Sequence, residues 1–165
     1  MSDFDEGRPS RLVVAAAVLD RLEYPTVLLC AARSYPPEHA GQFELPGGKV
    51  EPAERPTEAL VRELDEEIGL SARLGAELVP PGDLAVPAPP RGGAGDDAPA
   101  WPVMHGFRMR VWLAEPTRVG DRGRAGAAHE RLEWVSLDPP SQVRQLPWLP
   151  ADLPIIEALV TVLGR

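Results

Sequence analysis

Residues 48–70 read GKVEPAERPTEALVRELDEEIGL, and this stretch decides how the rest of the chain is read. Leu60, Val61, Leu64 and Ile68 recur with the period of a helix that lays one apolar stripe on a core. Pro56 suits the first helical position, where its missing N–H would be unpaired anyway, and Gly69 suits the left-handed position just past the end. The pattern predicts a helix over Pro56–Ile68 with Arg55 as a poor N-cap. Glu63, Glu66 and Glu67 form a second stripe beside the apolar one, with Glu67 at the edge of the buried face. Like charges at this spacing repel by roughly a few tenths of a kcal/mol per pair. A solvated acidic face would point away from the core, where Glu58, Arg62 and Asp65 already lie. Carboxylates flanking a core without basic partners one turn on are better explained by a divalent cation. Hard oxygen ligands suit Mg²⁺, which keeps several waters and is completed by substrate phosphates.

Outward from this helix, 12–19 and 26–32 are short apolar runs joined by a polar turn with Pro25, read as two strands buried on both faces. Residues 43–45 make a third extended piece, and Pro46-Gly47-Gly48 favours a sharp turn. Beyond the helix, Ala72–Leu78 reads as a strand and 103–113 as a longer one. Residues 120–128 form a flexible connection, 132–135 a short strand and 154–163 an amphipathic helix. Between them, 79–102 carries seven Pro and four Gly in 24 residues, the composition of a flexible binding loop or an insertion. The element order predicts a single α/β domain, a mixed β-sheet with helices packed on it.

The chain's 165 residues fit one domain with a real core. Its 25 acidic and 17 basic side chains leave a formal charge of -8, which argues against a nucleic acid polymer as partner, since that needs a basic stripe. Residues 48–70 hold seven acidic and three basic side chains, half of that net charge. Cys30, alone inside the apolar run 27–32, excludes a disulfide scaffold and a cysteine zinc site. It suggests a reducing compartment, hence a cytoplasmic protein. The longest apolar run, 12–19, is eight residues, far short of a membrane span. The acidic start at 1–7 is not a signal peptide.

Gly48, Glu54, Arg62, Glu63, Glu66, Glu67 and Gly69, with Leu64 and Leu70 at the apolar places, match every position of the Nudix hydrolase box, GX5EX7REUXEEXGU, where U is a bulky aliphatic. Ala32-Arg33 and 43–51, FELPGGKVE, resemble the MutT-type branch of that superfamily. The stretch 148–154, WLPADLP, is similar to the tail of its CTP and oxidised-nucleotide pyrophosphohydrolases. The resemblance spans most of the chain apart from 79–102. It implies an α/β/α sandwich, a substrate in which a nucleoside diphosphate is joined to another group, and hydrolysis of a phosphoanhydride by water attacking phosphorus in line.

The resemblance also implies residue roles. Glu63, Glu66 and Glu67, with the Gly47 carbonyl, would hold Mg²⁺, with Mn²⁺ as the alternative ion. Glu63 is one candidate to activate the water, a role that varies between carboxylates in the family. Arg62 would point away from the metal stripe and pair with Glu54, fixing the loop against the helix; its ordinary alternative is a surface pair with Glu58. Lys49 and Arg33 would contact phosphates or simply be solvated. Asp152 would accept from a cytosine amino group or cap the last helix near Pro154. Trp148 and Trp101 are either base-stacking or core residues. A further metal-binding glutamate of the family falls at Ala128 here, with Glu130 as a substitute. His39, His105 and His129 show no ligand spacing and read as solvated or hydrogen-bonded. The implied activity is cleavage of a nucleoside triphosphate, CTP, dCTP or an oxidised nucleotide such as 8-oxo-dGTP, to the monophosphate and pyrophosphate. The alternatives are an ADP-ribose or dinucleoside polyphosphate hydrolase, and a non-catalytic nucleotide-sensing module. A monomer and a homodimer both fit.

Overall fold

A computed structural model of the chain describes residues 11–165; the acidic start at 1–7 lies outside the described residues. The two apolar runs form β1 (Leu12–Val18) and β2 (Val27–Arg33), each at the centre of a sheet. In the first sheet β1 pairs antiparallel with β4 (Gly47–Lys49) and parallel with β7 (Arg108–Pro116). β7 in turn pairs antiparallel with β5 (Ala72–Leu78) and with β6 (Trp101–Pro102). In the second sheet β2 lies between β3 (Phe43–Glu44) and β8 (His129–Ser136), antiparallel to both. The strands expected in one mixed sheet therefore divide into a mixed sheet and an antiparallel one.

Alternation along β1 assigns the layers. Val14, Ala16 and Val18 pack with Leu60, Leu64 and Ile68 of α1 (Pro56–Ile68). Ala15 and Ala17 pack on the opposite side with Ile155, Ile156 and Leu159 of α3 (Leu153–Val162). Helices thus cover both faces, giving the α/β/α sandwich. A short α2 (Ser141–Arg144) precedes the last helix; the sequence pattern left it unmarked.

Local chemistry sets the ends of α1. Arg55 is the extended N-cap and makes no side-chain capping bond, Pro56 opens the helix, and Gly69 sits at φ 61, ψ 29. The Gly69 N–H returns to the Asp65 carbonyl at 3.0 Å, closing the helix in a left-handed cap. Ahead of it, the segment expected as a sharp turn continues as strand β4. Gly47 can lie there only because it has no side chain: a Cβ would come within 1.9 Å of the Val14 carbonyl oxygen. The strand expected over 103–113 begins at Arg108 instead, because Met104–Gly106 forms a 3-10 turn in which His105 takes φ 62.

Segment 79–102 is tied down by the first residues of β7. Buried Arg108 bonds Asp96 at 2.9 Å and the Ala98 carbonyl at 3.1 Å. Arg110 forks onto Glu77 and donates to the Gly95 carbonyl at 2.7 Å. Trp101 is buried and donates to the Leu78 carbonyl. Among the described residues no helix is long and apolar enough to cross a membrane.

Candidate active site

The exposed edge of α1 carries the acidic row. Leu64 points into the core, so Glu63 and Glu67 are half-buried beside it and Glu66 is exposed. Glu63 lies under β4, where a Cβ on Gly48 would fall 2.2 Å from its carboxyl carbon. Gly48 thus leaves the room that this carboxylate fills.

Arg62 is the hub of the row. Its Nε donates to Glu54 Oε2 at 2.7 Å and its Nη2 to Glu54 Oε1 at 2.9 Å, a two-pronged pair that locks the β4–α1 turn onto the helix. These bonds hold the Glu54 carboxyl down at about 2. Arg62 therefore pairs with Glu54 rather than Glu58. It does not point away from the acidic row: Nη1 donates to Glu63 at 2.9 Å and to Glu66, one turn on, at 3.0 Å. The row therefore has a basic partner on its N-terminal side, Arg62 standing one turn before Glu66 at the ordinary spacing of a helical ion pair.

Glu67 is the carboxylate with least compensation. Burial pushes its carboxyl up and the charges of Glu44 and Glu63 add to the effect, whereas His129 and the Gly47 N–H oppose it. Glu63, Glu66, Glu67 and the Gly47 carbonyl are hard oxygen donors of the kind a small divalent cation takes. In the arrangement seen, Arg62 Nη1 bridges two of them, and among the described residues no three His, Cys, Asp or Glu side chains are gathered as a metal cage. The donor chemistry fits a cation, and the positive charge now shared by Glu63 and Glu66 belongs to Arg62.

A cavity of about 200 Å³ opens beside the row, walled by Val13, Leu45, Phe107, Met109, Glu44 and Asp152. Asp152 is buried, and its Oδ1 accepts from the Leu45 N–H at 3.1 Å. It occupies the N-cap position of α3 yet makes no side-chain capping bond. Burial pushes its carboxyl up to about 7, the Glu44 charge adding to this and the Leu45 N–H and Arg33 opposing it. Glu44 thus stands between pocket and row, within the field of both Asp152 and Glu67. Its two oxygens accept from Arg33 Nη1 at 3.0 Å and meet His129 Nε2 at 2.9 Å. A larger cavity, about 260 Å³, lies between Glu54 and residues 89–96, away from Glu63, Glu67 and Asp152.

The remaining expected residues are placed as follows. Arg33 is committed to Glu44 and, through Nε, to the Tyr35 carbonyl at 3.0 Å. Lys49 is exposed, with its ammonium 5.6 Å above the Phe107 ring at the pocket mouth. Trp101 and Trp148 are buried, their indole N–H groups on the Leu78 and Val143 carbonyls; both are core residues. Glu130 pairs with Arg131 at 2.7 Å and lies beside Gly41, on the opposite strand face from inward-facing His129. The carboxylate found near Glu67 is Glu44. Sequence reasoning missed Glu44 and His129 as site residues. The one available signal was an acid between two apolar residues of the extended piece 43–45.

The chain resembles known proteins over most of its length. The NUDIX domain family profile matches residues 9–159. The chain is 33% identical over 151 residues to the CTP pyrophosphohydrolase of Escherichia coli, covering 90% of this chain and 91% of that protein. It is 34% identical over 145 residues to a Mycobacterium tuberculosis protein provisionally named 8-oxo-dGTP diphosphatase 2, covering 87% and 83%. The solution structure of the E. coli ORF135 protein superposes with a TM-score of 0.64 at 28% identity, covering 93% of this chain and 91% of that one. With the intact motif on α1, the sandwich around it and a match running nearly end to end, the chain belongs to the NUDIX domain family.

Proposed function

We propose that this protein hydrolyses a phosphoanhydride of a nucleoside triphosphate, CTP, dCTP or an oxidised nucleotide such as 8-oxo-dGTP, to the monophosphate and pyrophosphate. The observation that carries this reading is the juxtaposition of an open-mouthed, largely apolar pocket holding Asp152 with the carboxylate row of α1. Relatives named for CTP and 8-oxo-dGTP support the substrate class.

In this reading the pocket takes the base. Asp152 presents an oxygen to the exocyclic amino group, with its other oxygen fixed on the Leu45 N–H. The triphosphate runs toward α1, past Lys49 at the pocket mouth and Arg33 on the far side of Glu44. Glu63, Glu66, Glu67 and the Gly47 carbonyl would hold Mg²⁺, or Mn²⁺ in its place. Such an ion neutralises the phosphate charge and activates water. Arg62 keeps its pair with Glu54 and so holds the turn and the helix in register while Glu63 and Glu66 serve the ion. Glu63, or another carboxylate of the row, would accept the proton of the attacking water.

The test is turnover of CTP, dCTP, 8-oxo-dGTP, ADP-ribose and diadenosine polyphosphates with Mg²⁺ and separately with Mn²⁺, scored by product. Monophosphate plus pyrophosphate from one of the first three is the expected result. Nucleotide binding without turnover of any member would overturn the hydrolase reading in favour of a sensing module.

A further inference from the structure

His129 opens β8, and its side chain is completely buried. Its backbone is fixed by the Gly126 carbonyl at 3.3 Å, and its strand partner is Arg33. From there Nε2 meets Glu44 Oε1 at 2.9 Å, while Arg33 Nη1 holds Oε2 of the same carboxylate at 3.0 Å. The other ring nitrogen, Nδ1, is buried with no hydrogen-bond partner. An unmatched buried polar atom costs about 1–3 kcal/mol, a cost that leucine, of similar volume, would avoid. Packing alone does not account for a histidine here.

What the ring does is orient an acid. Glu44 lines the pocket that holds Asp152, yet it comes from a two-residue strand, β3, with little structure of its own to fix a side chain. Arg33 and His129 grip its two oxygens from opposite ends, and both residues belong to the sheet that β3 edges. We propose that His129 is a positioning residue that fixes the Glu44 carboxylate at the pocket wall, and so sets how tightly the nucleotide is held. This rests on the pocket being the nucleotide site.

The test compares His129→Leu with His129→Gln, whose amide N–H can reach toward Glu44 as Nε2 does. In His129→Leu the loss of the Nε2–Glu44 bond offsets the loss of the idle nitrogen, so the thermal midpoint should move little, while KM rises at least tenfold and kcat changes less than threefold. His129→Gln should recover most of the KM. Equal KM for wild type and His129→Leu, or equal losses in the leucine and glutamine variants, would overturn the proposal. Equilibrium binding of CTP, measured for the same proteins without turnover, separates the two readings. If wild type binds but does not hydrolyse, the hydrolase reading fails and the affinity ratio still decides the role of His129. Independently of any nucleotide, the ¹⁵N-edited spectrum should show a protected imidazole N–H that is absent in His129→Gln and becomes exchange-broadened in Glu44→Ala. Absence of that signal in wild type would refute the tie itself.

Discussion

Asp152 offers a sharp physical test because its titration is coupled to folding. Burial lifts its carboxyl from an ordinary 3.8 to about 7, a rise of about three units. At about 1.4 kcal/mol per unit, this amounts to a burden on the order of 4 kcal/mol once the group is ionised. The sign follows from proton binding. Between the two values the folded protein holds a proton on Asp152 that the unfolded chain has released, so stability falls as pH rises. The favourable situation is complete below about 4 and is lost by about 7. Asn cannot ionise, and its Oδ1 can still accept from Leu45. Asp152→Asn should therefore match wild type at pH 4 and exceed it by up to ~4 kcal/mol at pH 8. The difference is read from denaturant unfolding of both proteins across that range, which cancels the titration of other groups. A mutant-minus-wild-type difference that stays flat with pH would show that Asp152 is not a buried, proton-holding acid. In the same variant the ratio of CTP to guanine-nucleotide turnover should shift, because the pocket exchanges an acceptor for a donor.

Three further substitutions separate the site from the scaffold. Glu67→Gln removes a carboxylate whose ionisation burial opposes, so stability at neutral pH should hold or rise slightly in a thermal melt. Turnover should fall on the order of 100-fold or more; near-normal turnover would remove Glu67 from the chemistry. The neighbouring glycines should behave oppositely. In Gly48→Ala the new Cβ falls 2.2 Å from the carboxyl carbon of Glu63, a side-chain end that can swing away. The fold should persist within about 1 kcal/mol while activity drops. In Gly47→Ala the Cβ meets the Val14 carbonyl oxygen at 1.9 Å and Ala15 Cα at 2.7 Å, which are central backbone. A loss of roughly 3 kcal/mol or failure to fold is expected. Equal stability of the two variants would contradict the β1–β4 register.

What could be read from sequence was the part governed by near neighbours. Pro56 and Gly69 set the ends of α1 because a missing N–H and a left-handed backbone are local requirements, and both ends fall where the residues put them. Strand limits depended on distant partners. The 103–113 run is interrupted by the left-handed turn at His105, and β4 exists because Gly47 can approach β1. Arg62 lies one turn before Glu66, a pair that helical spacing contains, whereas its two-pronged grip on Glu54 reaches off the helix to the preceding turn, which a helical wheel does not represent. The pairing of Glu44 with His129 spans 85 positions, so no spacing rule could have joined them.

Asp152 shows how backbone conformation decides between two roles that a sequence leaves open. A side chain caps a helix when its own residue is extended, which aims the oxygen at the N–H groups of the first turn. Asp152 instead has φ -82 and ψ -23, already helical, so its carboxyl swings off the helix end to the Leu45 N–H on the sheet. The charge then faces a low-dielectric pocket next to Glu44, and the acid resists ionisation rather than stabilising a helix. The same electrostatics run through the row on α1. Arg62 is shared among Glu54, Glu63 and Glu66, Arg33 pairs with Glu44 while His129 hydrogen-bonds it, and no guanidinium or ammonium is paired with Glu67 or Asp152 among the described residues. A single guanidinium thus answers part of the acidity of the row where the turn and the helix must be held together. Glu67 on the helix and Asp152 in the pocket have no such partner, and there a substrate and its cation would supply charge and hydrogen-bond donors.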